Sequence, residues 1–254
     1  KNYTANPEAY QLYLKGKFLW NKRTGESLRQ ATEFYRQAIE IDPNYALAYS
    51  GLAQSYALYA AYSVAPGIDS LPQAKAAALR ALEIDDQLAE PHTALAYYLT
   101  FYDWDRDGAE KEYRRAIELN PNYATAHQWL GNHVSLQKRF DEGIAELRRA
   151  DELDPLSMII GPNLGDTLLN SGKYDEAVAQ YKRLIVRDPG FGYAHLALAV
   201  AYASKRLYPE AIAETREAIK LGYAGKGYLG LWLAKSGKRD EAVKLLGELE
   251  QEAA

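Results

Sequence analysis

Pro121, Pro155 and Pro189 follow one another in equal steps of 34 residues, each directly behind an Asx residue: Asn120, Asp154 and Asp188. Ile41-Asp42-Pro43 is an earlier copy of the same hinge. Proline has no N–H with which to continue a helix, and it pushes the residue before it out of the helical region. Each Asx-Pro therefore closes one segment and opens the next. Self-similarity at a fixed period of this size is the signature of stacked repeats. In such an array each unit touches only its neighbours, and the product is an extended surface rather than a catalytic pocket.

Between the hinges, apolar and small residues recur at three- and four-residue spacing, the period of a helix face and not the alternation of a strand. In the stretch 124–157 a first helix is expected to carry His127, Leu130, Gly131 and Val134, and a second Gly143, Leu147 and Ala150. Lys138 to Glu142 reads as the linker between them. The next stretch repeats the layout with Leu164, Gly165 and Leu168, then Ala177, Tyr181 and Leu184. Small residues such as Ala53, Ala96, Gly131, Gly165 and Ala199 let paired helices approach closely, because contact side chains set the interaxial gap.

This layout resembles the tetratricopeptide repeat, whose pattern is a large residue, Leu, Gly or Ala, Tyr, Ala, an aromatic, Ala and Pro. The resemblance covers almost the whole chain. It implies an all-α fold, a right-handed α-solenoid of about seven helix-turn-helix units in one domain over 1–254. The units read as 6–43, 46–88, 89–123, 124–157, 158–191, 192–222 and 223–251. The first has a slightly long turn at Asn21–Glu26. The second has a connection through Tyr62–Pro72 too rich in proline and glycine to be helical. In the fifth, Gly161-Pro162 is expected to bend the first helix or to shift its start. The seventh opens on Gly222–Gly225 in place of a proline hinge and lacks a polar capping helix. The sequence starts Lys1-Asn2-Tyr3, without methionine or a signal peptide pattern, and is expected to be a piece of a longer protein.

Composition narrows the function classes. The 254 residues are 48% apolar and 25% charged, which suits a folded chain and argues against disorder. A net charge of −4 is a poor match to nucleic acid, and the basic pairs Arg114-Arg115, Lys138-Arg139 and Arg148-Arg149 are interleaved with Glu as on a solvated face. Cysteine is absent, which removes disulfides and thiolate metal sites. No apolar run reaches the ~18 residues that span a bilayer. A cytoplasmic location is expected, with the periplasm left open.

The residues that could carry chemistry fall into structural roles instead. His92, His127 and His195 share one repeat position, and equal positions in adjacent units stand ~8–10 Å apart, too far to share a metal. Asp103, Asp105, Asp107 and Gly108 match the opening of a calcium loop, but Arg114 stands where the bidentate Glu belongs. The expectation is a plain turn with Trp104 anchoring it on a neighbouring helix. Asp85-Asp86 stands at a hinge position and reads as a helix stop. Neither a nucleophile elbow nor a phosphate loop occurs. No catalytic residue, metal or cofactor is expected.

In tetratricopeptide proteins the concave wall is built from the first helix of each unit, so the resemblance implies a groove here. Its candidate lining is Gln54, Tyr97, Gln128, Asn132, Ile159, Asp166, Tyr193, Leu196 and Val200, with Leu47 and Glu90 on an adjoining stripe. The cationic pairs with which some members grip a C-terminal carboxylate are missing from these stripes. Tyr13–Thr24, Leu88–His92 and the Tyr102–Asp105 turn look like a bacterial subgroup in which the repeats follow a winged-helix, kinase or cyclase domain. The implied function is a non-catalytic protein-binding scaffold, the regulatory or sensory arm of such a protein, with a peptide or protein as partner. The alternative is a self-assembling module that pairs through its uncapped last helix.

Overall fold

At the hinges of Pro43, Pro121 and Pro189 the preceding helix ends on an extended residue that still reaches back into it. Asp42, Asn120 and Asp188 have φ of −132°, −143° and −139°, and each N–H donates to the carbonyl four residues earlier at 2.9 Å. Their side-chain oxygens then accept the N–H two residues on, at 3.0–3.1 Å, which turns the chain through the proline. Asp85 does the same for Gln87 without any proline, so Asp85-Asp86 is a helix stop.

The computed structural model describes residues 4–252. Residues 1–3, the start on which an excision was expected, and 253–254 lie outside the described residues. Among the described residues there are fourteen α-helices and no strand. They are α1 (Pro7–Asn21), α2 (Gly25–Ile41), α3 (Ala46–Leu58), α4 (Gly67–Ile84), α5 (Ala89–Tyr98), α6 (Arg106–Leu119) and α7 (Ala124–Leu136). There follow α8 (Phe140–Leu153), α9 (Ile160–Asn170), α10 (Tyr174–Arg187), α11 (Gly192–Ser204), α12 (Tyr208–Lys220), α13 (Lys226–Lys235) and α14 (Arg239–Glu252). This is the expected fold class, an α-solenoid assembled from helical hairpins.

The chain divides between His133 and Val134 into two compact units. In the first, α1 packs on α2, α3 on α4 and α5 on α6, while α1 also meets α3 and α3 meets α5. First helices thus stack on first helices. Tyr13 links α1 to α2 and to the α3 entry, its ring centroid 5.9 Å from Tyr35 and 5.4 Å from Tyr45. In the second unit α9 packs on α10, α11 on α12 and α13 on α14, and α9 meets α11. Its core joins Leu147, Leu164, Leu168, Tyr181, Leu184 and Leu198. Ion pairs cross between its successive hairpins, Lys173 to Asp141 at 2.7 Å and Arg183 to Asp151 at 2.5 Å. Such exposed pairs contribute ~0–1 kcal/mol each, so the apolar core dominates the stacking.

Several local expectations are corrected. The first turn is only Lys22-Arg23-Thr24, because Thr24 and Ser27 form a reciprocal cap that starts α2 at Gly25. The connection in the second hairpin ends at Pro66, and Pro72 lies inside α4; the carbonyl it frees belongs to Ile68, which is exposed to water. Pro162 does not bend α9. It sits in the first turn, where its missing N–H would have no helical acceptor, so it shifts the helix start to Ile160. Phe140, Asp141 and Glu142 are the first turn of α8 rather than linker. Trp104 is no anchor: it is 71% exposed, in a left-handed conformation at φ 57°, after a π-helical turn over Leu99–Asp103.

Candidate functional site

The predicted groove residues divide between the two units. In the first, Gln54 on α3 is only 6% exposed, and its amide donates to the Thr93 hydroxyl at 3.1 Å and to that of Tyr123. Gln128 on α7 is 4% exposed. Both belong to the interior more than to the surface. Tyr97 is partly exposed on α5 and packs its ring on Phe101 and Trp129, at 4.5 and 5.1 Å between centroids. Asn132 is partly exposed on α7.

The same unit holds an open cavity of about 710 Å³ lined by Tyr10, Tyr13, Lys17, Leu47, Glu90 and Asn120 among others. Leu47 and Glu90 were on the adjoining stripe; Tyr10, Tyr13 and Lys17 were not anticipated. They come from α1, where Tyr13 is buried and also packs on Tyr35 of α2, while Tyr10 and Lys17 are exposed beside it. Burial, then the nearby charge of Glu90, pushes the Tyr13 hydroxyl well above the usual phenol range. It therefore faces the cavity as a neutral hydrogen-bonding group.

In the second unit Ile159 caps α9, Asp166 lies on α9, and Tyr193, Leu196 and Val200 lie on α11. All five are partly exposed. Asp166 organises them. The Tyr181 hydroxyl donates to its Oδ1 at 2.7 Å, and the Tyr193 hydroxyl lies 2.6 Å from both carboxylate oxygens. Tyr193 is thereby fixed, its ring edge-on to Tyr223 at 6.1 Å. The arrangement gives a rigid aromatic and aliphatic face with its one charge already engaged by phenols.

Burial pushes the Asp166 carboxyl above its ordinary 3.8, with the two phenol donors opposing the shift. A native pKa above the unfolded one means that the folded state holds the proton more tightly. Stability contributed through Asp166 is therefore present below 3.8 and lost as pH rises through the raised native value. Asp166→Asn cannot titrate. Its stability relative to the wild-type protein is expected to climb across that window and then level off. Thermal midpoints of both proteins from about pH 3.5 to 7 check this; a difference that stays constant would contradict it.

The histidines serve the scaffold. His92 Nδ1 lies 2.6 Å from Glu112, and His195 Nδ1 lies 2.7 Å from Glu214, tying each first helix to its second. His127 and His195 also place Nε2 at 3.0 and 3.2 Å from the carbonyls of Pro121 and Pro189, tying the helix to its hinge. In the acidic turn, Asp105 caps α6 by accepting the Gly108 N–H, and Asp103 accepts the Tyr98 hydroxyl. Among the described residues no group of three or more His, Asp or Glu could hold a metal ion, and no helix is long and apolar enough to cross a membrane.

Two family models described as tetratricopeptide repeat match the chain, one over residues 105–157 and 163–224 and the other over residues 12–45. Together they take in more than half of it. The sequence has no match among curated proteins. Among solved structures the chain is similar to pilF of Pseudomonas aeruginosa, with a TM-score of 0.65 and 25% identity over 81% of this chain and 90% of that one. It is similar to TTC0263, a thermophilic TPR protein of Thermus thermophilus, with a TM-score of 0.62 and 18% identity over 77% and 99%. YrrB, a TPR protein with an unusual peptide-binding site, gives 0.53 and 22% over 74% and 91%.

Proposed function

We propose, from the premise that this chain belongs to the tetratricopeptide repeat family, that it is a non-catalytic scaffold which binds a peptide or protein segment along its first helices. Proteins of this family mediate protein–protein interaction, and the peptide-binding site of YrrB is a fold-level precedent. The observation that carries the reading is the face of the second unit. Ile159, Leu196 and Val200 stay partly exposed beside a Tyr193 that Asp166 holds in place. Rigid aromatic side chains among apolar neighbours carry much of the energy of known interfaces, because little conformational freedom is lost when they are covered. The resemblance of Tyr13–Thr24 and Tyr102–Asp105 to bacterial signalling proteins is the ground for the finer role, the regulatory or sensory arm of such a protein, with a cytoplasmic placement.

Affinity capture from a cell lysate tests the groove. The wild-type protein is expected to retain a specific protein that the Tyr193→Ala, Leu196→Ala double variant loses. Retention of the same set by both would remove the support for this face.

A second reading has its own observation. The α13–α14 hairpin encloses an open apolar cavity of about 450 Å³ lined by Leu231, Ala234, Val243, Leu245, Leu246 and Leu249 among others. Val243 and Leu246 are 61% and 55% exposed. A second copy of the chain would cover them. On that reading the mass by light scattering rises with concentration and Leu246→Glu returns it to that of one chain; an unchanging mass would dismiss it.

A further inference from the structure

Arg23 stands in the three-residue turn between α1 and α2, in a left-handed conformation at φ 52°. Its guanidinium lies over the Trp20 indole, 3.5 Å from the ring centroid. The turn packs close to the α3–α4 connection: a Cβ added at Gly25 would come within 2.9 Å of the Tyr62 carbonyl. The phenols of Tyr62, Tyr123, Tyr35 and Tyr97 all lie within electrostatic reach of the guanidinium, and no carboxylate is among these neighbours.

Among the described residues the Arg23 side chain makes neither a hydrogen bond nor an ion pair. Arg106, Arg206 and Arg239 also show no partner, but they are exposed, and water serves them. Arg23 is only partly exposed. Burial pulls its pKa down to about 10, so it remains a cation at neutral pH without a counter-charge. A desolvated, unpaired charge opposes folding, and stacking on an indole offsets part of that. The stack holds the guanidinium against the indole while its N–H groups have no hydrogen-bond partner among the described residues. Such a planar fork suits two-point recognition of an oxyanion.

We propose that Arg23 is a carboxylate-binding point of the first unit, taking one carboxylate of a bound peptide beside the Tyr62 and Tyr97 phenols. The surroundings of Arg23 favour a single negative charge over a phosphate dianion: the phenols within its electrostatic reach supply no second cation. They are uncharged donors, which add only hydrogen bonds. The site lies in an inter-helix turn, apart from the first-helix stripes that carried the groove expectation. It deepens the peptide-binding reading and rests on it.

The test uses the full chain and three blocked peptides: oligoglutamate with an amidated C-terminus, oligoglutamine with a free C-terminus, and oligoglutamine with an amidated one. Fluorescence anisotropy at low salt is expected to give one or both carboxylate probes at least a tenfold preference over the neutral probe. Preference for the first places the carboxylate on a side chain, and preference for the second at a chain end. Arg23→Met is expected to abolish the preference, and Arg23→Lys, which keeps charge without the fork, to reduce it severalfold. Three equal affinities, or a preference that survives in Arg23→Met, would overturn the assignment; so would displacement of the probe by inorganic phosphate at lower concentration than by acetate. Thermal unfolding supplies a second readout. Without ligand, Arg23→Met should melt no lower than the wild-type protein; a clear drop would make Arg23 a structural cation on Trp20. If Arg23→Met retains every captured partner while the Tyr193, Leu196 variant loses them, this inference fails and the groove reading stands.

Discussion

Tyr181→Ala is expected to lower stability by about 3–5 kcal/mol, the range for truncating a buried aromatic residue and leaving a cavity. Tyr181 is fully buried in the core of the second unit, on α10, where it faces α9. Its ring lies against Gly165 so closely that a Cβ there would come within 2.5 Å of it. Its hydroxyl is also one of the donors that hold Asp166. Two losses are therefore superimposed and can be separated. Tyr181→Phe removes only the hydrogen bond to a charged acceptor and should cost about 1.5–3 kcal/mol. The rest is packing. Because Gly165 and Tyr181 share the same space, adding Gly165→Ala should destabilise the wild-type protein yet recover part of the loss in Tyr181→Ala, a coupling of about 0.5–3 kcal/mol. Urea unfolding followed by circular dichroism measures the four variants against the wild-type protein. Additive effects, or a Tyr181→Ala loss under about 1 kcal/mol, would mean that α9 and α10 simply close over the gap.

What the sequence disclosed and what it concealed divide along physical lines. The hinges were legible because Asx-Pro is a local device: proline stops the helix, and the Asx side chain satisfies the N–H two residues on. Helix pairing was legible for a similar reason, since Gly165, read as a small residue that permits close approach, does lie against the ring of Tyr181. Burial of polar groove residues was not. A 3.6-residue period places Gln54 and Gln128 on the inner face, but whether a neighbouring helix covers Gln54 depends on Thr93 and Tyr123, more than one hairpin away. Trp104 misled because an aromatic residue in a turn ordinarily seeks cover, whereas the π-helical turn before it carries the ring outward. Arg23 gave no signal at all. Its lack of a partner arises only when the α1–α2 turn meets the α3–α4 connection, a contact that neither spacing nor charge pattern encodes.

Gly51→Ala and Gly247→Ala, the same substitution inside two helices, are expected to move stability in opposite directions. Replacing an interior helical Gly by Ala gains about 0.5–1 kcal/mol from reduced backbone entropy in the unfolded chain. At Gly247 on α14 nothing lies within 4 Å of the added Cβ, so that gain should appear undiminished. At Gly51 on α3 the new methyl would lie 2.4 Å from Tyr35 Cζ and 2.5 Å from its Cε1. Tyr35 is 2% exposed and packed against Tyr13, so its ring cannot swing aside. Overpacking of this kind costs about 1–3 kcal/mol, which exceeds the helical gain and leaves a net loss of up to about 2 kcal/mol. Tyr35→Leu in the Gly51→Ala background should then lose less than it does alone, because the smaller side chain relieves the clash it vacates. Urea midpoints of the two alanine variants decide the matter. A stabilised Gly51→Ala would mean that α2 and α3 can separate by several tenths of an ångström without cost, and the glycine would then be dispensable to the first unit's packing.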